Sequence, residues 1–162
     1  MRIAMTKTQW NPRLEKLAER TVAGLNATYT YATANQIPQL WHKFGPMVGK
    51  IPGQISEDSF GVVWNEKPGT GFDYLACVRV EAKADLPKDF KQLRLPAEEY
   101  AVFTHTGDVS TLPQAFMDVW DNWLPESKWE TTGTPSYERY TKDYDPKTQK
   151  GGIEFWIPVK AR

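Results

Sequence analysis

An internal repeat is the feature of this sequence that most constrains its fold. Two segments carry apolar residues with the spacing i, i+3, i+4 and i+7, which places them on one face of a helix. The two sets are Ile37, Leu40, Trp41 and Phe44, and Phe116, Val119, Trp120 and Trp123. A shift of 79 residues superposes them, and a shift of 77 residues superposes Ser59-Phe60 on Ser136-Tyr137. Amphipathic helices can align by chance, but the joint agreement of helix faces, strand starts and turns favours a true duplication.

Each repeat has the predicted order strand, helix, strand, strand, which defines a βαββ unit. The units span about 13–83 and 95–162 and together form one domain over 13–162. Neither unit can bury its sheet face alone, so we expect the two to join edge to edge around a pseudo-twofold axis. The predicted fold class is α+β: an antiparallel sheet with two helices on one face, a concave opposite face and a central ligand cleft between the halves.

The predicted element boundaries follow from side-chain alternation and from the positions of Gly and Pro. Strands are predicted around Arg20–Leu25, over Ser59–Asn65, Asp73–Ala82 and Glu98–Thr106, and as a hairpin over Pro135–Val159. Gly45-Pro46 and Pro125 are expected to end or interrupt the helices, and residues 84–95 are expected to form a link. Residues 1–12 are predicted to be a flexible polar segment from which Trp10 could dock.

The closing hairpin combines carboxylates with aromatic rings. Side chains alternate across a strand, so Glu138 and Tyr140 share one face of the first strand of the hairpin. Glu154 and Trp156 share one face of the second strand. A carboxylate among Trp and Tyr rings is what a site for a lipophilic cation needs, because the rings supply contact area and cation–π attraction and the acid supplies the charge.

Composition excludes several classes of function. The 20 Lys and Arg balance the 20 Asp and Glu and form no cluster, which argues against direct nucleic-acid binding. We find no signal peptide and no apolar run that could span a membrane, so a cytoplasmic protein without membrane contact is expected. Cys77, His42 and His105 are too few for a metal cluster, so neither a metal nor a cofactor is expected.

Several short motifs and their order along the chain resemble the GyrI-like family. This family is the effector-binding domain of AraC/XylS- and MerR-type multidrug regulators and also occurs alone in gyrase-inhibitor proteins. The motifs are the doubled βαββ order, Tyr100-Ala101-Val102-Phe103 with His105 and Gly107, Ser136-Tyr137-Glu138-Arg139-Tyr140, and Glu154-Phe155-Trp156-Ile157-Pro158-Val159. The resemblance covers about residues 13–162 and is strongest after Leu95. It implies a glutamate in the last third that meets cationic ligands, a position that Glu138 matches and that Gly61 occupies in the first repeat. We find no helix-turn-helix pattern, so the chain resembles the stand-alone members.

The candidate ligand-binding residues each have a structural alternative. The candidates are Glu138, Tyr140, Trp156, Glu154, Trp64 and Phe72. Glu138 could instead form an ion pair with Arg79 or Arg139, and Glu154 could be a solvated position on an edge strand. Trp64 could belong to the core. The aromatic residues at helical spacing, including Trp41, are expected to be core.

Three functions from different classes are compatible with these residues. We favour a binding protein for lipophilic, aromatic cations without its own DNA-binding domain, which sequesters drugs or senses them for a separate transcription regulator or gyrase. The resemblance also implies a second hypothesis, a hydrolase of strained alkylating natural products with Glu138 as general base and Tyr140 as hydrogen-bond donor. The third is a protein-interaction module such as a DNA gyrase inhibitor. We favour binding over catalysis because no other nucleophile, phosphate loop or metal set stands out.

Overall fold

The computed structural model describes residues 10–162, which form nine strands and two principal helices. The strands are β1 Arg13–Leu17, β2 Arg20–Thr30, β3 Gln54–Lys67, β4 Gly71–Val80, β5 Lys91–Leu95, β6 Glu98–His105, β7 Trp129–Thr131, β8 Ser136–Tyr140 and β9 Ile153–Ala161. The helices are α1 Ile37–Phe44 and α2 Leu112–Asp118. A π-helical turn, Val119–Trp123, and a final helical turn, Leu124–Glu126, continue α2, so this helical segment ends one residue after Pro125.

The sheet confirms the predicted α+β fold of two βαββ units. Its strand order is β1-β6-β9-β8-β3-β4-β2-β5, every pair is antiparallel, and β7 adds to β9. The units are therefore β2-α1-β3-β4 and β6-α2-β8-β9, and they meet where β3 pairs with β8. At this junction Gly61 lies directly opposite Glu138, which agrees with their assignment as counterparts in the repeat.

The short strands that precede each unit are exchanged between the halves. Strand β1 precedes the first unit but pairs with β6 of the second, and β5 precedes the second unit but pairs with β2 of the first. The sequence predicts a link where β5 lies and no strand at β7, and both expectations are wrong. Each of these strands is at most five residues long, too short for alternation to identify it.

The two helices cover the same face of the sheet, one over each half. Helix α1 packs on a cluster of buried residues from β2 and β4, among them Ala23 and Val78. Helix α2 packs on a matching cluster from β6 and β9, among them Phe103 and Phe155. Phe44 and Val119, the buried residues of the helical faces, are each fully enclosed, as the apolar spacing predicts.

The opposite face of the sheet is filled and is not the open concavity expected from the sequence. Its side chains form a third buried cluster that includes Val62, Tyr100, Tyr137 and Trp156. Partly buried side chains of β1 and β5, such as Leu17, pack against the same cluster. The exchanged strands therefore help to cover this face, and the place left for a site is the face between the helices.

The register of the strands corrects one detail of the repeat. A shift of 77 residues makes Gly61 the counterpart of Glu138 but also matches Val78 with Phe155. In the sheet Gly61 pairs with Ala76, whereas Glu138 pairs with Phe155. Ala76 is therefore the true counterpart of Phe155, because β8 and β9 are joined by a longer loop than β3 and β4.

Trp10 is docked on the second half of the domain. Its indole Nε1 donates a hydrogen bond of 2.7 Å to Asp118, and its ring meets those of Phe103 and Phe155 edge-on. The rest of the predicted flexible segment, residues 1–9, lies outside the described residues. Within residues 10–162 no helix is both long and apolar enough to cross a membrane.

Candidate ligand-binding site

Glu138 lies at the centre of the molecule, where the two halves meet. It is the middle residue of β8, which has β3 on one side and β9 on the other. Its side chain is on the helix-bearing face, between the core clusters beneath α1 and α2. The α1 cluster contributes Trp41 and Tyr74, and Tyr140 packs on the α2 cluster. The surroundings of Glu138 therefore come from both repeats.

Two tyrosines donate hydrogen bonds to the same oxygen of Glu138. The hydroxyl of Tyr140 donates to Oε1 over 2.9 Å, and the hydroxyl of Tyr74 donates to the same atom. Tyr74 in turn accepts a hydrogen bond of 2.9 Å from Nε1 of Trp41. An indole N–H can only donate, so the Tyr74 proton is left for Glu138. Oε1 is thus the acceptor at the end of a short chain of donors.

The other oxygen, Oε2, has no hydrogen-bond partner among the described residues. Within residues 10–162, every buried side-chain nitrogen or oxygen has a partner. Oε2 of Glu138 therefore reaches accessible surface even though the residue as a whole is half-buried. The carboxylate thus has one oxygen held by the protein and one oxygen available to a ligand.

Gly61 makes this arrangement possible from the neighbouring strand. A Cβ atom built on Gly61 would overlap the Tyr74 hydroxyl and would lie 2.6 Å from Oε1 of Glu138. Any side chain at this position would displace the phenol or the carboxylate. The lack of a side chain at Gly61 is therefore what lets Tyr74 of the first repeat reach Glu138 of the second.

Aromatic rings pack around Tyr140, one of the two hydrogen-bond donors to Glu138. The ring of Trp41 meets that of Tyr140 edge-on at a centroid distance of 5.3 Å, and Tyr140 meets Tyr144 in the same way at 5.0 Å. All three side chains are half-buried. They belong respectively to α1, to β8 and to the loop that follows β8, so the rings come from three different elements.

The electrostatics of Glu138 are unusual for a carboxylate. Burial, the largest influence, raises its pKa, and the hydrogen bonds from Tyr74 and Tyr140 offset only part of this effect. Burial likewise holds the pKa of both tyrosines well above its usual value, so both remain neutral donors. No Lys, Arg or His in the described part of the chain forms an ion pair with Glu138. The ion pair with Arg79 or Arg139 that was considered as an alternative is therefore not formed. Residues 10–162 thus supply no counter-charge to this carboxylate.

Glu154 and Trp156 lie on the opposite face of the sheet. Glu154 forms ion pairs with Arg13 at 2.8 Å and Arg139 at 3.0 Å, and Arg139 also pairs with Asp58 at 2.6 Å. Burial alone would raise the pKa of Glu154. The hydrogen bond and charge of Arg13 and the charge of Arg139 outweigh this effect, so the pKa of Glu154 is lowered. Its side chain is 13% exposed, so it is not the solvated edge position considered as an alternative.

Trp156, Trp64 and Phe72 also lie away from Glu138. Trp156 stacks on Tyr137 at 5.5 Å within the cluster on the opposite face, and the same cluster includes Trp64. Phe72 is on the helix-bearing face but packs against Tyr29 near the start of β4. Of the six predicted residues, the structure brings together Glu138 and Tyr140.

The sequence predicts a core position for Trp41, and Tyr74 is not among its six candidate residues. Both belong to the hydrogen-bonded chain at Glu138. Helical spacing identifies the inward face of α1 but does not distinguish a residue over the sheet from one beside a cleft. The residue type of Trp41 was the signal that could have identified its role. A half-buried Trp needs an acceptor for its indole N–H, which indicates a polar neighbour.

Two surface pockets and a search for metal ligands complete the description of residues 10–162. One surface pocket of about 280 Å³ lies near Pro46 and Phe90, and another of about 390 Å³ lies between Tyr29 and Leu40. Glu138 lines neither of these two pockets. Among residues 10–162 no group of three or more His, Cys, Asp or Glu is placed to hold a metal ion.

Fold and sequence together define the class: the chain belongs to the GyrI-like small molecule binding domain family, whose model matches residues 11–160. This confirms the resemblance carried by the motifs. The transcriptional regulator BrlR of Pseudomonas aeruginosa is 29% identical over 133 residues, which cover 79% of this chain and 48% of BrlR. The chain therefore spans about half the length of this curated relative.

Two solved structures share the fold. SAV2435, determined bound to tetraphenylphosphonium, superposes with a TM-score of 0.71 at 23% identity, over 93% of this chain and 94% of that protein. The C-terminal domain of EcmrR superposes with a TM-score of 0.68 at 15% identity, over 96% of this chain and 100% of that domain. At these identities the likeness establishes the fold alone.

Proposed function

We propose that this domain binds lipophilic, aromatic cations, with the carboxylate of Glu138 as the counter-charge. The observation that carries the proposal is Oε2 of Glu138, an acceptor without a partner that reaches accessible surface between aromatic rings. A half-buried carboxylate with no ion pair is costly for the folded protein. A cation that also offers apolar surface to Trp41 and Tyr140 would offset that cost.

The structural relatives support the same ligand class. Tetraphenylphosphonium, the molecule bound by SAV2435, is a permanent cation covered by phenyl rings and has no hydrogen-bond donor. Such a molecule needs a carboxylate and aromatic walls, and both are present at Glu138. The relationship to the regulator BrlR further favours a transcription regulator as the partner that responds to the ligand.

In this proposal the ligand reaches Oε2 when the rings over the carboxylate move apart. Trp41 and Tyr140 are in edge-on contact, and rotation of either side chain opens the space between α1 and β8. Rotamer changes of this size are common at binding sites. Tyr144 is on the loop after β8 and can move with that loop.

A hydrolytic function is the second candidate, and one observation speaks against it. A general base is available in Oε2 of Glu138, but the hydroxyl of Tyr140 already donates to Oε1. It is therefore not free to donate to a leaving group without breaking that bond. Binding without turnover is the function that this hydrogen bond favours.

Calorimetric titration with tetraphenylphosphonium tests the proposal. We expect saturable binding with one ligand per chain and at least tenfold weaker binding of triphenylphosphine oxide, a neutral compound of related shape. Equal affinity for the two compounds would show that the charge of Glu138 has no role. Chromatography of the ligand after prolonged incubation separates binding from turnover, because a bound ligand is recovered unchanged.

A further inference from the structure

The hydrogen bonds around Glu138 run in one direction. Trp41 Nε1 can only donate, so the oxygen of Tyr74 accepts from it and the Tyr74 proton is directed to Oε1 of Glu138. Tyr74 is 2% exposed, which makes it too buried to touch a ligand at the surface of the site. Its effect on a ligand must therefore pass through Glu138.

The groups that face Glu138 are all uncharged. They are Tyr74 on β4, Trp41 on α1, Tyr140 on β8 itself, Tyr144 on the following loop, Gly61 on β3 and Phe155 on β9. The nearest cation along the strand, Arg139, points to the other face and is paired there with Asp58 and Glu154. Among the described residues, only a proton is therefore available to neutralise the carboxylate.

We propose that a cation binds at Glu138 by replacing a proton on Oε2, and that Tyr74, oriented by Trp41, is a positioning residue that sets the pH at which the exchange occurs. The proposal rests on the proposed function. The step is balanced: the neutral carboxylic acid releases its proton to solvent, and the carboxylate that remains pairs with the cation. No covalent bond to the ligand forms.

The direction of the effect of Tyr74 follows from its hydrogen bond. A phenol O–H donated to Oε1 stabilises the carboxylate more than the neutral acid. Burial favours the neutral acid, and the donor from Tyr74 opposes this. Without the Tyr74 hydroxyl, Oε2 stays protonated up to a higher pH. The cation then has to displace the proton over a wider pH range.

The test is the affinity for tetraphenylphosphonium as a function of pH in the wild-type domain and in Tyr74→Phe. On the acid side of the wild-type midpoint we expect roughly tenfold weaker binding by the variant, the size of one hydrogen bond to a charged group. On the alkaline side, where Glu138 is ionised in both, we expect equal affinity. The midpoint of the curve therefore moves to higher pH.

Tyr29→Phe is the matched control. Tyr29 is 7% exposed and lies in the same core, with its ring 6.5 Å from that of Tyr74, and no hydrogen bond joins it to Glu138. The same substitution there should leave the midpoint unchanged. A loss of affinity in Tyr74→Phe that is equal at every pH, or a midpoint shift as large in Tyr29→Phe, would overturn the role of Tyr74.

Calorimetry of the wild-type domain in two buffers of different ionisation enthalpy tests the exchange without any variant. We expect proton release near the midpoint and none at alkaline pH. Affinity that is independent of pH, with no proton release, would overturn the exchange while leaving cation binding intact. Absence of binding at every pH would instead refute the proposed function, so the two failures are distinguishable.

Discussion

Glu138 and Glu154 are two carboxylates of one hairpin with opposite surroundings. They lie on adjacent strands and on opposite faces of the sheet. Glu154 is held between two arginines, which lower its pKa against the effect of burial. Glu138 has only neutral donors, and burial raises its pKa. Within residues 10–162, Glu154 is paired with two cations and Glu138 with none, and the proposed cation site depends on this difference.

The largest expected effect separates the two acids by ligand affinity. Glu138→Gln keeps the size of the side chain and removes its charge, so we expect the affinity for tetraphenylphosphonium to fall by about ten- to a hundredfold, or roughly 1.5–3 kcal/mol. Glu154→Gln, on the other face, should stay within about twofold. Calorimetry measures both variants, and melting curves confirm that they fold. If Glu154→Gln abolished binding and Glu138→Gln did not, the functional acid would be Glu154.

A second effect comes from the residue opposite Glu138. Gly61→Ala would bring a methyl group against the Tyr74 hydroxyl and Oε1 of Glu138, so we expect a loss of about 1–3 kcal/mol in the free energy of unfolding together with weaker cation binding. Gly45→Ala is the control, because its φ of −50° is helical and no atom lies within 4 Å of the added methyl. Denaturant titration compares them. A fully stable, fully active Gly61→Ala would contradict the close contact.

The third effect concerns the acid that is already paired. Glu154→Gln leaves Arg13 and Arg139 without this partner, and we expect a loss of about 1–2 kcal/mol in the free energy of unfolding at neutral pH. The folded pKa of Glu154 is lowered, so its contribution is present above the unfolded pKa and is lost as the pH falls through the folded value. The free energies of unfolding of the variant and of the wild type should therefore become equal at acid pH. If the difference in the free energy of unfolding were unchanged at acid pH, the ion pairs of Glu154 would not be its cause.

The smallest effect has the opposite sign. The folded pKa of Glu138 is raised, so the ionised carboxylate destabilises the fold as the pH rises through that value. Glu138→Gln should accordingly gain about 0.5–1 kcal/mol in the free energy of unfolding at neutral and alkaline pH. Thermal melting at several pH values measures the gain. If the melting temperature of Glu138→Gln were lower than that of the wild type at alkaline pH, the carboxylate of Glu138 would have to be stabilised by a positive charge.

Residues that share a face were predictable from the sequence, and residues that meet across the sheet were not. Alternation placed Glu138 and Tyr140 together, and the duplication identified Gly61 as the counterpart of Glu138. Tyr74 reaches Glu138 only through the pairing of β3 with both β4 and β8. That contact depends on the register of the strands, which no single strand encodes.

The location of the site on the sheet also required long-range information. The sequence predicts that the face opposite the helices is free, and it keeps Trp156 and Glu154 as candidates beside the favoured Glu138. The opposite face is covered in part by β1 and β5, each of which crosses to the other half. Short strands carry little local signal, and their partners are distant in the chain, so this covering could not be inferred from periodicity.

The exchange of β1 and β5 has a consequence for how the domain can be made. Arg13 pairs with Val102, and Arg20 with Leu95, so β1 stays unpaired until β6 of the second unit has been synthesised. Pairing between such distant segments slows folding. A βαββ half emerging alone would present β3 or β8 as an unpaired edge, a template for association with another chain. The two repeats of this chain are therefore joined into one unit by the strands that they exchange.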